Sequence, residues 1–587
     1  MSREDRVELR WPGKGEADVA LPAGLELCVE QRIGEPAGNL LICADNLRAM
    51  QALQATHAGA IDLIYLDPPF ATGHDFVRTS FAGPDGEGRG ELKAHAYHDR
   101  WPGGLAGFLR MLEPRLRLCH RLLAPQGSLY LHVDPTIGHY AKLVLDEVFG
   151  AACFQREIVW RIGWLSGYKT RANNWIRNHD LIFFYTKDPA RFTFNKQYVP
   201  HPAGYRRRDG AVATSPGVPM EDVWNANLAE FALRGRDSLD SIQIKSFSRE
   251  KTGWATQKNT SLLRRIVAAS SRPGDLVADF FCGSGTSLVA AAELGRRFIG
   301  CDCALPAVEL AHARLLEIRV AVPEDMSQAT APGFARCGLG LAERRLWLGE
   351  GGAGEHVSRL LRHHGAVPIS AGGLHGQRGT VGVLIGPWDA PLGRAAVQAA
   401  LREAAARELT GLDVLAWSWG FTADEDLSAG TGVELTCLQL RRELLDDRAL
   451  AREDGGLGER PCFRFEWRAG PEQTVTLVLG GASLRRPERL APDLGAAVLA
   501  DWCELVESWS VEFAAIGGPL RPDQRHYRTR SQRGLAVESA AARLDGSGPW
   551  WARVEVIDRL GAAHPLDFQL SWSEGQLIVA QGRPDGF

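Results

Sequence analysis

The run Leu276-Val277-Ala278-Asp279-Phe280-Phe281-Cys282-Gly283-Ser284-Gly285-Thr286 decides the fold. Its apolar start predicts a buried strand, and its two glycines predict a tight loop where the backbone passes close to a ligand before a helix begins. A second strand is predicted at Arg297-Phe298-Ile299-Gly300-Cys301-Asp302, so that Asp302 follows Gly283 by 19 residues. In a Rossmann-like sheet, an acid at that place accepts hydrogen bonds from the ribose hydroxyls of a nucleotide-type cofactor.

A second motif lies earlier, where the apolar run Ile61-Asp62-Leu63-Ile64-Tyr65-Leu66 ends in Asp67-Pro68-Pro69-Phe70. An exocyclic amine on a nucleobase is a poor nucleophile because its lone pair is delocalised into the ring. The Asp67 carboxylate and the Pro68 carbonyl, held by fixed proline torsions, can accept hydrogen bonds from such an amine. Phe70 can stack on a base that has left its helix. The alternative interpretation of the tetrapeptide is a plain turn after a buried strand.

With the catalytic motif ahead of the cofactor motif, the chain resembles the β class of DNA amino-methyltransferases, which use S-adenosylmethionine to make N6-methyladenine or N4-methylcytosine. The resemblance spans about residues 39 to 320 and includes the runs Tyr97–Trp101, Gly127–Asp134 and Asn178–Asp180. It looks most like the modification subunits of type III restriction systems and related phage-defence methyltransferases. The fold class it implies is α/β, with a Rossmann-like methyltransferase sheet that carries helices on both faces.

The resemblance also implies roles for individual residues. It assigns catalysis to Asp67, Pro68, Pro69 and Phe70. It assigns cofactor binding to Asp45 near the cofactor adenine, to Asp279, Phe281, Gly283, Gly285 and Thr286 in the loop, to the ribose acid Asp302, and to Gln257 and Lys258 just ahead of the cofactor strand. The family usually has proline where this chain has Asn259, which leaves the backbone path there open. No metal is expected, because a sulfonium methyl group is already electrophilic and catalysis reduces to positioning and electrostatics.

The composition is that of an ordinary globular protein, with 587 residues, 45% hydrophobic residues and 24% charged residues. This length predicts two to four domains. No uninterrupted apolar stretch is long enough to suggest a membrane span, and the charged start Met1–Arg6 does not resemble a signal peptide. Eleven cysteines without a CxxC pair predict reduced thiols and a cytoplasmic protein.

The net charge of −4 argues mildly against a protein that coats nucleic acid, but the charge is uneven. Between Arg156 and Asp209, eleven basic residues stand against four acidic ones, and aromatic residues such as Trp160 and Trp175 are interleaved with them. This composition predicts a DNA-contacting surface. The predicted contacts are Arg161, Lys169, Arg171, Arg177, Arg206, Arg207 and Arg208. The alternative is an amphipathic edge of the core with solvated arginines.

The pattern of predicted elements divides the chain into four parts. Residues 1–38 are predicted to be a loosely ordered lead-in. For residues 39–322 the resemblance implies a permuted methyltransferase domain with an inserted target-recognition region at about 189–250. Residues 333–450 are a small α/β domain, and residues 460–587 are a β-rich, sandwich-like domain. The glycine-rich stretch from Gly73 to Gly90 is predicted to be a mobile loop. His98, His132 and His179 are interpreted as ordinary packed or surface histidines.

The resemblance implies a site-specific methyltransferase that acts on the N6 amine of adenine in duplex DNA, within a restriction-modification or phage-defence system. The alternatives are an N4-cytosine enzyme, a catalytically silent DNA-binding subunit, and a methyltransferase that acts on RNA or on a protein glutamine. Duplex DNA is the expected partner, a helicase or nuclease subunit and a homodimer are further partners to consider, and no membrane is expected.

Overall fold

The computed structural model describes all of the chain except residues 1–6, 17–18, 35–37, 83–89, 163–172, 202–203, 225–249, 319, 323–324, 331, 370–371, 422–425, 446–456, 488–489, 491, 516–523, 529–533, 545–547 and 582–587. It forms two compact units. The first comprises Met1–Thr79 and His95–Leu339, and the second comprises Ser80–Ala94 and Gly340–Phe587.

The strands up to Leu339 are β1 Cys28–Ile33, β2 Leu40–Cys43, β3 Ile61–Leu66, β4 Asp75–Ala82, β5 Gly90–His98, β6 Leu123–Val133, β7 Phe154–Arg161, β8 His179–Thr186, β9 Tyr198–Pro200, β10 Gly217–Pro219, β11 Val223–Trp224, β12 Leu276–Asp279, β13 Arg297–Asp302, β14 Val320–Val322, β15 Asp325–Thr330 and β16 Phe334–Gly338. Ten of them form one sheet in the order β1-β16-β2-β13-β12-β3-β6-β8-β7-β11. The run from β16 to β6 is parallel throughout, and β8 is antiparallel to both of its neighbours. The prediction of a mostly parallel sheet is confirmed.

Six helices of the described residues surround this sheet: α1 Asn46–His57, α2 Leu105–Leu122, α3 Pro135–Phe149, α4 Thr260–Ser270, α5 Thr286–Glu293 and α6 Leu305–Glu317. Strand β3 shows that both faces are covered. Leu63 and Tyr65 belong to a core shared with residues of α4, α5 and α6, while Ile64 and Leu66 point to the opposite face and are equally buried. Burial on both faces explains why β3 is a nearly continuous apolar run.

The sheet continues past both predicted boundaries of the methyltransferase domain. Strand β1 lies in the predicted lead-in and pairs antiparallel with β16, which lies beyond residue 322. The sequence of β1 hides this role, because only Gln31 and Ile33 are buried in a strand that otherwise carries exposed side chains. The first part of the predicted mobile loop from Gly73 to Gly90 is a strand, because β4 pairs with β5 as a two-stranded sheet, and residues 83–89 of that loop lie outside the described residues.

The second unit begins with a small α/β arrangement, as predicted. Its six-stranded sheet runs β17 Val367–Pro368, β18 Gly376–Arg378, β19 Val381–Ile385, β20 Gly411–Ala416, β21 Glu434–Leu440 and β22 Leu457–Glu459 in that order. The helices are α7 Gly340–Leu348, α8 Gly352–His364 and α9 Arg394–Ala406. Strands β19, β20 and β21 are parallel. Leu384 packs in the core with α9, whereas Val383 and Ile385 pack in the core with α8, so both faces of this sheet are covered.

The rest of the second unit is rich in strands. A three-stranded sheet contains β23 Cys462–Ala469, β24 Thr474–Ser483 and β27 Ala542–Arg543. A five-stranded antiparallel sheet contains β25 Val506–Ala515, β26 Gln524–Tyr527, β28 Trp550–Asp558, β29 Ala563–Ser573 and β30 Gln576–Gln581, and helix α10 spans Pro492–Ala500. Leu477 of the first sheet shares one core with Val511, Val554 and Leu570 of the second. Two antiparallel sheets around a common core form the predicted sandwich-like arrangement.

Among the residues that the structure describes, no helix combines the length and the apolar character needed to span a membrane.

Candidate active site

Four neighbouring strands of the large sheet end at the same edge, and each end carries an acid: Asp45, Asp67, Asp279 and Asp302. The register fixes this arrangement, because Asp279 lies opposite Tyr65 of β3 and Asp302 lies opposite Cys43 of β2. Ligands of open α/β sheets bind at the carboxyl ends of parallel strands. The cofactor motif and the catalytic motif, which are far apart in sequence, therefore meet at one edge.

Asp279 organises the start of the cofactor loop. Its Oδ1 accepts a hydrogen bond from the Phe281 amide at 2.9 Å, and its Oδ2 accepts one from the Ser287 hydroxyl at 2.5 Å. Burial raises the pKa of Asp279 to about 7, and the nearby carboxylates of Asp67 and Asp302 add to this effect. Asp279 therefore stabilises the conformation of the loop through its hydrogen bonds with Phe281 and Ser287.

The two glycines and Asp302 form a cradle whose shape fits a nucleotide-type group. Gly283 and Gly285 have φ values of 48° and 73°, which favour glycine. A Cβ at Gly285 would stand 2.6 Å from the Ala311 Cβ, and one at Gly283 would stand 3.0 Å from the Trp254 Nε1. The Asp302 Oδ2 accepts a hydrogen bond from the Gly283 amide at 2.9 Å, so its carboxylate faces the loop. An acid beside a close backbone turn at a strand end is an arrangement that suits a nucleotide-type group.

Two other residues assigned to the cofactor already have partners in the chain. Asp45 caps helix α1 through the Arg48 amide at 3.1 Å and pairs with Arg115 at 2.9 Å, while its side chain stays 44% exposed. The Thr286 hydroxyl accepts a hydrogen bond from Arg314 at 2.9 Å and is buried. Asp45 thus caps α1 and pairs with Arg115 while staying partly exposed, whereas Thr286 holds the start of α5.

The catalytic motif follows β3 directly, and one of the two Asp67 carboxylate oxygens has a hydrogen-bond partner among the described residues. Lys258 Nζ lies 2.5 Å from the Asp67 Oδ2. The Asp67 Oδ1 is buried and has no hydrogen-bond partner among the residues that the structure describes. A buried carboxylate oxygen without a donor is unfavourable, and native proteins rarely leave one unless a ligand completes it. Asp67 therefore offers an acceptor at the same edge as the cofactor cradle.

The Phe70 ring packs against a buried row of hydrogen-bonded side chains, Tyr65, His132 and Asp180, which the sequence did not reveal. Its ring stacks on His132, with centroids 5.9 Å apart. The His132 Nδ1 lies 2.9 Å from the Tyr65 hydroxyl, and its Nε2 lies 3.3 Å from the Asp180 Oδ2. Burial raises the pKa of Tyr65 well above its usual value, with a further contribution from nearby carboxylates, so its hydroxyl keeps its proton. The Asp180 carboxylate can only accept, so the His132 Nε2–H donates to it and the Tyr65 hydroxyl donates to Nδ1. Burial acts to raise the pKa of Asp180, but the hydrogen bond from His132 and the nearby charges of Lys258 and Arg177 lower this pKa overall.

A second residue that sequence reasoning missed braces the turn after Phe70. Asp99 is buried and accepts hydrogen bonds from the Ala71 amide at 2.7 Å and from the Thr72 amide at 2.8 Å. Ala71 has a φ of 56°, a left-handed conformation that this clamp holds in place. The signal for Asp99 was its position in the Tyr97–Trp101 run of the family resemblance.

The segment ahead of α4 departs from the assigned cofactor role. The Gln257 Oε1 accepts hydrogen bonds from the Thr252 amide and hydroxyl, and its Nε2 donates to the Glu250 carbonyl, so its amide braces its own loop. Lys258 contacts Asp67 of the catalytic motif. Asn259 has a φ of −76°, a value that proline also adopts, so the backbone at this position is compatible with the residue that the family usually has.

The predicted DNA contacts fall into three groups. Arg161, Arg206, Arg207 and Arg208 are exposed, with Arg206 donating to the Gly210 carbonyl at 3.1 Å and Arg207 lying 3.7 Å from Asp209. Arg177 is different, because its guanidinium bridges Asp134, at 2.6 Å, and Asp180. Lys169 and Arg171 lie outside the described residues.

Comparisons with known proteins agree with this geometry. Residues 61–313 match the family model described as DNA methylase, whose name covers N6 and N4 enzymes. The chain is 28% identical over 370 residues to the type II methyltransferase M.EcaI of Enterobacter cloacae, covering 53% of this chain and 77% of that protein. It is 27% identical over 297 residues to the DNA adenine methyltransferase YhdJ of Escherichia coli (strain K12), covering 49% and 86% respectively. A shorter match, 29% over 138 residues, joins 21% of this chain to 20% of the type III restriction-modification enzyme StyLTI Mod subunit of Salmonella typhimurium (strain LT2).

The fold and the two motifs at one sheet edge define the class: a methyltransferase that uses S-adenosylmethionine. Residues 61–313 match the N6/N4 DNA methylase family model, and the chain is a DNA methyltransferase. The family resemblance predicted from the sequence is confirmed.

Proposed function

We propose that this enzyme methylates the N6 amine of adenine at specific sites in duplex DNA. The observation that carries the proposal is the Asp67 Oδ1, a buried acceptor without a donor among the described residues, at the edge that also holds the cofactor cradle. It supplies the acceptor that an exocyclic amine requires. The preference for adenine is supported by the similarity to YhdJ, a DNA adenine methyltransferase.

The roles of the residues follow from their positions. When bound, S-adenosylmethionine supplies an electrophilic methyl group, and Asp302, the glycine loop and Asp45 would hold it. Asp67 Oδ1 accepts a hydrogen bond from the target amine and can take the proton that the nitrogen loses. The Pro68 carbonyl is the second acceptor, and Phe70 stacks on the base that has left the helix. The chain's contribution is thus to position the base and to localise its lone pair.

Cytosine N4 is the second candidate, because its exocyclic amine presents the same chemistry and the family name includes it. A catalytically silent DNA-binding subunit is the third. Single-molecule sequencing that detects modified bases, on DNA from cells expressing the chain, tests all three against an Asp67→Ala control. We expect N6-methyladenine in one sequence context, absent in the variant. N4-methylcytosine would favour the second candidate, and unmodified DNA would overturn the enzymatic proposal.

The setting of the enzyme is also a proposal. The similarities to a type II methyltransferase and, over a short segment, to a type III modification subunit support a role in restriction-modification or phage defence. In that setting, residues 333–450 and 460–587 would be separate domains that bind a helicase or nuclease subunit or a second copy of the chain. The region 189–250 would read the target sequence, and a DNA substrate would place the enzyme in the cytoplasm.

A further inference from the structure

Lys258 contacts two members of the catalytic motif at once. Its ammonium lies 2.5 Å from the Asp67 Oδ2, 5.3 Å from the centroid of the Phe70 ring and 3.4 Å from the Thr256 carbonyl. The side chain is only 9% exposed. An ammonium has three N–H donors, and a carboxylate, a carbonyl and an aromatic ring together satisfy it. Lys258 is therefore committed to the catalytic motif in this structure.

The segment that carries Lys258 is held from several sides. The Gln257 amide bonds to Thr252 and to the Glu250 carbonyl, and the Glu250 carboxylate in turn caps helix α4 through the Thr260 amide at 2.5 Å. Thr256 adopts a left-handed conformation, with a φ of 57°, which directs its carbonyl to the Lys258 ammonium. Strained backbone of this kind persists where the surroundings determine it and is common at functional sites. The ammonium is thus fixed by its own segment rather than carried on a free side chain.

We infer that Lys258 is a positioning residue for methyl transfer, an inference that rests on the proposed function. By binding Oδ2, it sets the rotation of the Asp67 carboxylate so that Oδ1 presents its lone pair to the target amine. Through its contact with Phe70, it also sets the ring on which the base stacks. Charge-assisted bonds in a buried site are short and directional, so they fix geometry better than a neutral contact can.

The alternative role for Lys258 is the cofactor contact that the family resemblance implies. The two roles predict different kinetics. A cofactor ligand, once removed, weakens the binding of S-adenosylmethionine, and saturating cofactor restores turnover. A positioning residue for Asp67 leaves cofactor binding intact and lowers the rate even when every substrate is saturating.

The experiment uses the full chain and five variants. Lys258→Met removes the charge at similar length, Lys258→Arg retains a cation, and Asp67→Asn removes the partner charge. The fourth variant combines Lys258→Met with Asp67→Asn, and Lys251→Met is the matched control, because it removes a positive charge from the same segment. Calorimetry gives the dissociation constant for S-adenosylmethionine, single-turnover assays give the rate of methyl transfer to duplex DNA, and thermal unfolding verifies the fold.

For Lys258→Met we expect a rate roughly 100-fold lower at saturation, the scale of a misplaced reacting group, with a cofactor dissociation constant within about threefold of wild type. Lys258→Arg should recover part of the rate, and Lys251→Met should match wild type. In the Asp67→Asn background, Lys258→Met should lower the rate by less than about threefold, because the residue through which it acts has already been lost.

Two results would overturn the role of Lys258 and leave the proposed function standing: a cofactor dissociation constant weakened tenfold or more with a wild-type rate at saturation, or a full additional loss of rate in the double variant. A folded wild-type chain that binds S-adenosylmethionine but transfers no methyl group to DNA would overturn the proposed function, and the role of Lys258 with it.

Discussion

The two halves of the active-site edge are built in different ways. In the cofactor half, Asp279 and Asp302 accept hydrogen bonds from backbone amides of the loop between them, and the bonded residues are 2 and 19 positions apart in sequence. In the catalytic half, Asp67 depends on Lys258, which is 191 residues away in sequence. The first half satisfies its own polar groups, whereas the second leaves Oδ1 of Asp67 without a partner in the described chain. A binding loop can thus be prepared locally, while an acceptor for the substrate is assembled from distant segments.

If the halves are independent, the largest effect should come from Asp67→Ala. We expect methyl transfer to fall by roughly 1,000-fold or more, because the acceptor that activates the amine is lost. Calorimetry should show a dissociation constant for S-adenosylmethionine close to that of wild type, since Asp67 faces the target amine in our assignment. A large loss of cofactor affinity alongside the lost turnover would mean that the two halves are one site and that the role of Asp67 is misassigned.

The converse change is Asp302→Ala, which should affect the cofactor half. Leaving ligand hydroxyls without a charged partner is expected to weaken S-adenosylmethionine binding by about 1–3 kcal/mol. The loss includes the bond that Asp302 makes to the Gly283 amide, so Asp302→Asn, which keeps an oxygen acceptor, is the matched control and should lose less. An unchanged dissociation constant in Asp302→Ala would show that Asp302 does not bind the ribose of S-adenosylmethionine.

This difference also explains how far the sequence could predict the site. The strands Ile61–Leu66 and Arg297–Asp302 were predicted at their observed bounds, because a buried strand carries apolar residues in an unbroken local run. The same holds for the contiguous glycine loop. His132 was interpreted as an ordinary packed histidine, and its burial agrees with that, but its stacking on Phe70 depends on how β3, β6 and β8 lie side by side. For the same reason, nothing in the sequence indicated that the Lys258 ammonium contacts Asp67, a residue 191 positions away.

The buried chain under Phe70 allows a milder test of the catalytic half. His132→Leu removes the bonds to Tyr65 and Asp180 and the ring on which Phe70 rests. We expect the rate of methyl transfer to fall roughly 10-fold through misplacement of Phe70, with cofactor affinity unchanged. Tyr65→Phe, which removes only one hydrogen bond and keeps the ring stack, is the control and should lose less. Equal losses in the two variants would assign the effect to the hydrogen bond rather than to the stacking.

The smallest expected effect concerns the basic surface, where DNA contact was predicted from composition. Arg177 bridges Asp134 and Asp180, so Arg206, Arg207 and Arg208 are the better probes of phosphate binding. We expect replacement of these three arginines by neutral residues to change the slope of log affinity for duplex DNA against log salt concentration. The slope should become shallower by up to about 3, because each lost phosphate contact reduces it by about 0.9. Cognate and random duplexes should weaken alike, because phosphate contacts carry no sequence information.

Fluorescence anisotropy at several salt concentrations measures this slope, with neutralisation of the exposed Arg362, Arg402 and Arg468 as a control of equal charge. Two contacts within the chain compete with phosphate: Arg206 donates to the Gly210 carbonyl, and Arg207 lies near Asp209. A change in the slope of about 2 rather than about 3 would therefore still indicate that DNA binds along this segment. A slope that matches both wild type and the control triple would show that these arginines only solvate the surface. The DNA path would then lie elsewhere along the chain, and the net charge of −4 would stand as an objection to a track in this segment.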